Sequence, residues 1–530
     1  ASPDRSLPLL PEGRIRLDSV GEMDVTAGGR TRRVAQYSIT GFGFEPYRLW
    51  LDPDRRFFAA GSEWFALVQE GWQEALPALF RVQDQAQEAW MADLARRLSH
   101  RQTAPVVFRN ANLFDAETGA SRPGTTVVIT GNRITAVGPD ATTAVPAGAT
   151  VIDARGKALL PGLWDMHVHA GLSDGLLHLA AGVTSVRDLG NDSVATPRLA
   201  REWNAGTGLG PRIVLAGFID GPGPFSSPVG SRAATEAEAR AAVAWYADHG
   251  YEHIKMYSSL DPKLVPVIAD EAHRRGMRVS GHVPEGMRAA DVVLAGYDEV
   301  QHVNMMVLNF LPDSLDTRTP QRFVGPAQQA ADIDLSSPAV REFVALLRER
   351  GTVVDPTMSA FEGMFIAREG VVSPTFAAVA DRMPANVRRG FLTGGLPVPE
   401  GMDQRYRDSW RRMMELVKLL YDAGVTIVPG TDNMAGFALH RELELYVEAG
   451  IPAPEVLRIA TLGAATVARR ADRLGSIAPG KLADVILVDG DPARSISDIR
   501  RVELVVKDGV VYRPNEMYEA FGVLPMPARN

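Results

Sequence analysis

Between Leu163 and Leu474 one short unit recurs: an apolar β-type segment closing on a polar residue, then a helical or loop stretch. The segments are GLWDMHVH, GVTSVRDL, PRIVLAG, YEHIKMY, MRVSGHV, DEVQHV, TVVDP and VTIVPG. Apolar strands alternating with helices build a parallel sheet whose faces are covered. Eight such units have the rhythm of a (β/α)8 barrel. The competing arrangement, a doubly wound open sheet, usually has fewer strands and a glycine-rich phosphate turn after the first. No such turn follows His169.

Strand-like pieces lie on both sides of this segment. VVFRNANLFD, TTVVITGNRITAVG and ATVIDARGKALLPG precede it, and KLADVILVDGDP and VELVVKDGVVYR follow it. They are expected to pair as one small β-sandwich domain, residues 105–162 and 475–515, split by the barrel of residues 163–474. Residues 1–104 read as a leader domain of short β segments followed by a helix from about Trp72 to Leu98, with no catalytic signature, and residues 516–530 as a tail. The expected fold class is therefore α/β: a TIM barrel, a split β-sandwich and a β-plus-helix leader.

A net charge of -8 argues against a nucleic-acid partner, and no apolar run reaches bilayer length. A small-molecule or dipeptide partner fits better, and an oligomer is left open. With no cysteine, any metal must be held by histidine and carboxylate. The chain begins ASPDRSLPLL without an initiator Met, so an exported or periplasmic protein is expected, a cytoplasmic one being the alternative.

Side chains two apart on a strand share a face, so His167 and His169 in GLWDMHVH point together toward the barrel mouth and form a chelating pair. His282 ends MRVSGHV, His302 ends DEVQHV, and Asp432 follows VTIVPG. Four of only ten histidines thus stand at strand ends. Lys255, one of six lysines, ends YEHIKMY, where a buried ammonium needs a reason; an ordinary ion pair with Asp432 or Glu285 is the plain alternative.

In this order, HxH, Lys, His, His and Asp inside a split β domain, the chain resembles the amidohydrolase superfamily. The text from LLPGLWDMHVH through GVTSVRDLGN, IKMYSSL, SGHVPEG, VQHVN and PGTDN to LGSIAPGKLADVILVDGDP is similar to its imidazolonepropionase-like and prolidase-like branch, over about Val106 to Tyr512. The leader lies outside the resemblance. The resemblance implies two divalent metal ions, most often zinc, with His167, His169 and Asp432 on the first and His282 and His302 on the second. Lys255, carboxylated by carbon dioxide, would bridge them, and its anionic carbamate would offset part of their charge. It implies a metal-dependent hydrolase in which a hydroxide bridging the metals attacks an amide or peptide bond, with Asp432 as the catalytic acid/base. A dipeptide or an N-acyl amino acid is the implied substrate.

Two other readings stay open. Glu285, three residues after His282 in HVPE, stands where mononuclear deaminases and cyclic-amide hydrolases of the superfamily carry an acid/base; it also suits the first turn of a helix. A non-catalytic barrel scaffold is the third reading, although such scaffolds lose ligands and here every position is filled.

Other residues keep a plain reading beside a functional one. Asp165 suits either a ligand imidazole or its strand end, and Arg187 and Asp188 either the site or a structural pair. His440 is expected to pack or hydrogen-bond on a helix, while His100, His178, His249, His253 and His273 offer no ligand spacing. Tyr257 in KMYSS stands where it would donate to a substrate carbonyl or carboxylate. Two insertions, about Met305–Ser337 and Ala360–Tyr406, are long enough to act as lids. The second carries Arg382, Arg388, Arg389 and Arg405, candidate carboxylate clamps or simply solvated surface.

Overall fold

A computed structural model describes residues 5–10, 12–62, 65–312 and 314–527. The first residues, on which the expectation of export rests, and the end of the tail lie outside the described residues.

The N-terminal region is a six-stranded antiparallel sheet in chain order, built on the long hairpin Arg14–Ala27 and Arg30–Thr40. Gly28 and Gly29 turn that hairpin, both at positive φ (53° and 72°), the conformation a two-residue turn demands. The helix Leu76–Leu98 faces two ways. Leu79, with Trp72 and Ala75 just ahead of the helix, packs against Trp50 and Phe58 of the sheet, whereas Met91, Leu94 and Leu98 join the core of the barrel.

A nine-stranded sheet joins sequence from both flanks. The strand Ala158–Pro161 lies parallel to Val106–Asp115 on one side and antiparallel to Val485–Val488 on the other, with Leu159 opposite Leu487. Its far edge is His100–Arg101, from the end of the leader segment.

The barrel strands follow one another in parallel: Leu163–Val168, Val183–Asp188, Arg212–Asp220, His253–Met256, Arg278–Gly281, Glu299–Gln301 and Val353–Asp355. The first two are buried at every residue, as strands covered on both faces must be. VTIVPG, expected as the eighth strand, closes the barrel as an extended segment with a single bridge, Ile427 to Val354. The reason is local. Pro429 has no N–H to donate, and a Cβ on Gly430 would stand 2.2 Å from Asp355 Oδ1, so the backbone must run closer than a regular ladder allows. Closure rests instead on Met166 N–H donating to Pro429 O at 2.7 Å and Asp432 N–H to His167 O at 2.9 Å.

Inside the barrel, below its mouth, the Arg187 guanidinium makes a bidentate pair with Glu299 and donates to Met166 O at 2.9 Å. The two insertions fold as helices, among them Gln321–Gln329 after the sixth strand and Met358–Ile366 after the seventh. No helix among the described residues is long and apolar enough to cross a membrane.

Candidate metal centre

The strand ends bring together all six side chains singled out as ligands. One ligand atom each from His167, His169 and Asp432 lies within 4.8 Å of the others. Asp432 Oδ1 is 3.4 Å from His169 Nε2, and its Oδ2 is 3.9 Å from both His167 Nε2 and His302 Nε2. Lys255 Nζ lies 3.1 Å from His167 Nε2, so neither Asp432 nor Glu285 is its nearest partner. The His282 and His302 rings meet edge to face at 4.6 Å, and the His167 and His302 rings lie tilted at 4.8 Å.

Each imidazole is held by its Nδ1. His167 Nδ1 hydrogen-bonds Asp355 Oδ2 at 2.7 Å, His302 Nδ1 the Thr357 hydroxyl at 2.8 Å, His282 Nδ1 the Ser258 hydroxyl at 3.3 Å, and His169 Nδ1 the Gly190 carbonyl. The other nitrogen of each ring, Nε2, faces the centre, the His167 one accepting from Lys255 Nζ, which is how metal-binding histidines are oriented. His302 Nε2 is buried and has no hydrogen-bond partner. A buried, unsatisfied acceptor is costly unless something else occupies it. This donor set, four imidazoles with a carboxylate and no sulfur, fits borderline divalent metals.

Burial sets the electrostatics. It pushes the Lys255 ammonium down to about 8, with Arg187 adding to the effect against the pull of Asp432, Asp355 and Asp188. Burial, reinforced by the Lys255 charge, holds His167, His282 and His302 well below the usual imidazole range. Asp355 is pushed well above the carboxylate range by burial and by nearby Glu299. Burial thus resists positive charge on these three rings.

Backbone strain gathers here too. Among the described residues eight non-glycine residues have positive φ, and three of them are His302 (70°), Thr357 (48°) and Asp432 (47°). Such conformations persist only where surrounding structure enforces them, and they cluster at working sites.

Several residues take a structural place. Asp165 accepts from Thr431 Oγ1 at 2.8 Å, from Thr431 N and from His167 N, fastening the closing segment, and burial pushes it up to about 7. Asp188 accepts from Ala170 N at 2.8 Å, and Arg187 pairs with Glu299 rather than with Asp188. His440 Nε2 reaches Ala181 O, and His253 Nε2 the Ser280 hydroxyl. Glu285 accepts from Thr317 N at 2.7 Å and Thr317 Oγ1 at 2.9 Å, and so engages the first insertion. Asp355, Thr357, Ser258 and the Gly190 carbonyl are the hydrogen-bond partners of these imidazoles that sequence reasoning missed.

The centre opens into a cavity of about 200 Å³. Tyr257 lines it, its ring 4.1 Å from that of His282, and burial raises its hydroxyl pKa, so it stays a donor. The four arginines singled out in the second insertion are occupied elsewhere. Arg382 donates to Leu524 O and Arg389 to Leu10 O, while Arg388 pairs with Asp381 and Arg405 with Asp332. Arg322, from the first insertion, is the arginine that reaches the cavity.

Residues 158–512 match the Amidohydrolase family. The chain is 23% identical over 410 residues to an adenine deaminase of Mesorhizobium japonicum, covering 75% of this chain and 56% of that protein. It therefore spans about half the length of that relative. It is 23% identical over 444 residues to an ochratoxinase of Aspergillus niger, 70% of this chain and 78% of that one. The fold is shared with a Xaa-Pro dipeptidase crystallised with methionine in its active site, at TM-score 0.56 and 22% identity over 77% of this chain and 100% of that one.

Proposed function

The chain belongs to the Amidohydrolase family, and from that premise we propose that it is a metal-dependent hydrolase of an amide or peptide bond in a small substrate of the dipeptide or N-acyl amino acid type. One observation carries the reading: His167, His169 and Asp432 converge within 4.8 Å, with Lys255 Nζ 3.1 Å from His167 Nε2 and an unsatisfied His302 Nε2 beside them. His167, His169 and Asp432 would hold one divalent metal, His282 and His302 a second. Lys255 would bridge them as the carbamate that forms when its neutral amine adds to carbon dioxide and releases a proton. When bound, such ions polarise a carbonyl and lower the pKa of water toward neutrality.

The remaining steps belong to the chain. Tyr257 orients the substrate by donating its phenolic hydrogen to a substrate oxygen. Asp432 accepts a proton at a carboxylate oxygen from the attacking water and delivers it to the leaving nitrogen. The pairs Asp355–His167 and Thr357–His302 hold the imidazoles in register, and the first insertion limits access of bulk water. A deaminase-like reading needs Glu285 in the cavity; its carboxylate instead binds Thr317, which favours the bridged arrangement.

The test is elemental analysis beside a screen of dipeptides and N-acyl amino acids. About two metals per chain are expected, with Lys255→Ala losing the second metal and most turnover. One metal per chain in the native protein, with Lys255→Ala fully active, would remove the bridged reading. No metal and no turnover would leave a scaffold.

A further inference from the structure

The end of the barrel away from the metal centre holds a second cavity, of about 150 Å³, where the loops entering the fourth and fifth strands meet the end of the last barrel helix. Of the charged side chains lining it, four are arginine and one is glutamate. Three of the five are matched: Arg187 by Glu299, Arg275 by Glu271 at 2.7 Å, and Glu252 by Arg470, which does not line the cavity. Arg278 and Arg469 are not. Among the described residues neither has a carboxylate partner. Arg278 Nε is buried without a hydrogen-bond partner, and a terminal nitrogen makes only a long contact, 3.4 Å, to Asp298 O. The Asp298 carboxylate is spent on Val279 N at 2.8 Å and His273 at 3.0 Å. The Arg469 guanidinium donates only to a carbonyl, Gly276 O, at 2.7 Å. The whole chain carries a net charge of -8, so this surplus of positive charge is local.

Both arginines are placed by their backbones. Arg278 opens the fifth strand, in register with His253 of the fourth, and His253 Nε2 is already taken by the Ser280 hydroxyl. Arg469 follows the helix Ala464–Val467, which ends in two paired bonds, Arg469 N to Thr466 O at 3.0 Å and Arg470 N to Ala465 O at 2.7 Å. The residue after the cap of such an ending takes a left-handed backbone and is usually glycine. Here it is an arginine, at a φ of 56°. A charged side chain at a position that suits glycine, without an acid to pair with, lacks a reason inside the chain and points to a partner outside it.

We propose that this end of the barrel binds a compact tetrahedral oxyanion such as phosphate between the Arg278 and Arg469 guanidiniums. The site goes beyond the hydrolase reading and does not depend on it. A guanidinium meets an oxyanion through two parallel hydrogen bonds, and two guanidiniums match the charge of a dianion. A cavity of about 150 Å³ holds such an ion with a few waters, not a nucleotide or a peptide. The bound ion joins the start of the fifth strand to the end of the last barrel helix, so it stabilises the fold by mass action.

The experiment is calorimetric titration and melting of the metal-loaded protein with sodium phosphate, against sodium chloride at matched ionic strength, in wild type, Arg278→Gln and Arg469→Gly. Phosphate should bind wild type with a Kd of about 1 mM and, at about 10 mM, raise the melting temperature by about 1–2 °C over chloride. Arg278→Gln should weaken binding about tenfold and remove most of that rise. Arg469→Gly suits the left-handed backbone, so it should melt no lower than wild type in chloride and yet lose the rise. Glycerol phosphate is the second ligand: if it binds more tightly than phosphate, and through the same two arginines, the oxyanion is that of a phosphate ester. Equal melting of wild type in phosphate and chloride overturns the proposal. An equal rise in all three proteins overturns it too, because the ion then sits elsewhere, as at the metals.

Discussion

Two buried clusters of charge divide this molecule. On the outer side of the barrel the helix Phe437–Glu448 carries Arg441 and Glu444 into a network with Glu362, Glu448 and Arg500. There Glu444 meets Arg500 through two bonds of 2.7 Å, and Arg441 meets Glu362 at 2.6 and 2.9 Å. Every carboxylate has a guanidinium, although Arg500 Nη1 is itself buried without a hydrogen-bond partner, and none of these residues has a positive φ. At the barrel mouth charge is not matched in this way. An ammonium faces an imidazole rather than a carboxylate, and three residues are strained. Balanced buried charge serves the fold, whereas unbalanced buried charge is a standing destabilisation that only a bound ion or substrate relieves. Substitutions at the mouth should therefore remove function while sparing stability, and those in the outer network the reverse.

The widest separation should come from Asp432→Asn. It keeps the size of the side chain and removes the proton acceptor, so kcat should fall about 10⁴-fold. The melting temperature should move by only a few degrees, as measured by calorimetry beside steady-state kinetics. Retained turnover would break the contrast at its strongest point.

Arg500→Leu is the mirror image. It leaves the Glu444 carboxylate only its longer contact to Arg441 and should reduce the unfolding free energy by about 3 kcal/mol, read as a lower urea midpoint. Turnover below the transition should stay within about twofold of wild type. A large fall in kcat with unchanged stability would mean that the outer network feeds the site after all.

The pH response of the same pair sharpens this. Burial alone would raise the Glu444 carboxyl, but the bonds and charge of Arg500, helped by Arg441, outweigh it and hold the group at about 2. A carboxyl depressed in the folded state stabilises it fully above the unfolded value of 4.5, and this contribution fades as pH falls toward about 2. The gap in stability between wild type and Glu444→Gln should therefore shrink by roughly 3 kcal/mol across that window. A constant gap from pH 5 to 2 would show that the pair is not what holds the helix.

How much of this was legible follows from how local each signal is. His167 and His169 announce themselves because a strand fixes their common direction and histidine is rare here. Asp432 and Lys255 could be placed because their strands are short and plainly apolar. Asp355 could not. TVVDPT reads as a strand reaching a turn, and the partner of Asp355, His167, is 188 residues away across the barrel. Arg322 was hidden by abundance, since nearly all of the 56 basic residues are arginine and nothing in QRFVGP says which faces a cavity. Glu285 shows the limit from the other direction: its spacing from His282 suits an acid/base, and the Thr317 that binds it comes from an insertion invisible to local pattern. The closing segment shows the same limit, where VTIVPG has strand composition and Pro429 with Gly430 denies it a ladder.

The finest test of the contrast is Thr357→Val. The substitution keeps the branched shape at a left-handed position and removes the hydroxyl that hydrogen-bonds His302 Nδ1 at 2.8 Å. With that tie gone the ring is free to turn, and affinity for the metal held through His302 should fall about tenfold, while the ion on His167, His169 and Asp432 stays as tight as before. Chelator competition resolves two ions of unequal affinity, so the loss should appear in one phase alone. Thr357→Ser keeps the hydroxyl and should bind like wild type. If Val and Ser weaken binding equally, the left-handed backbone rather than the hydrogen bond sets the ring, and the strain at the mouth acts directly on the ligands.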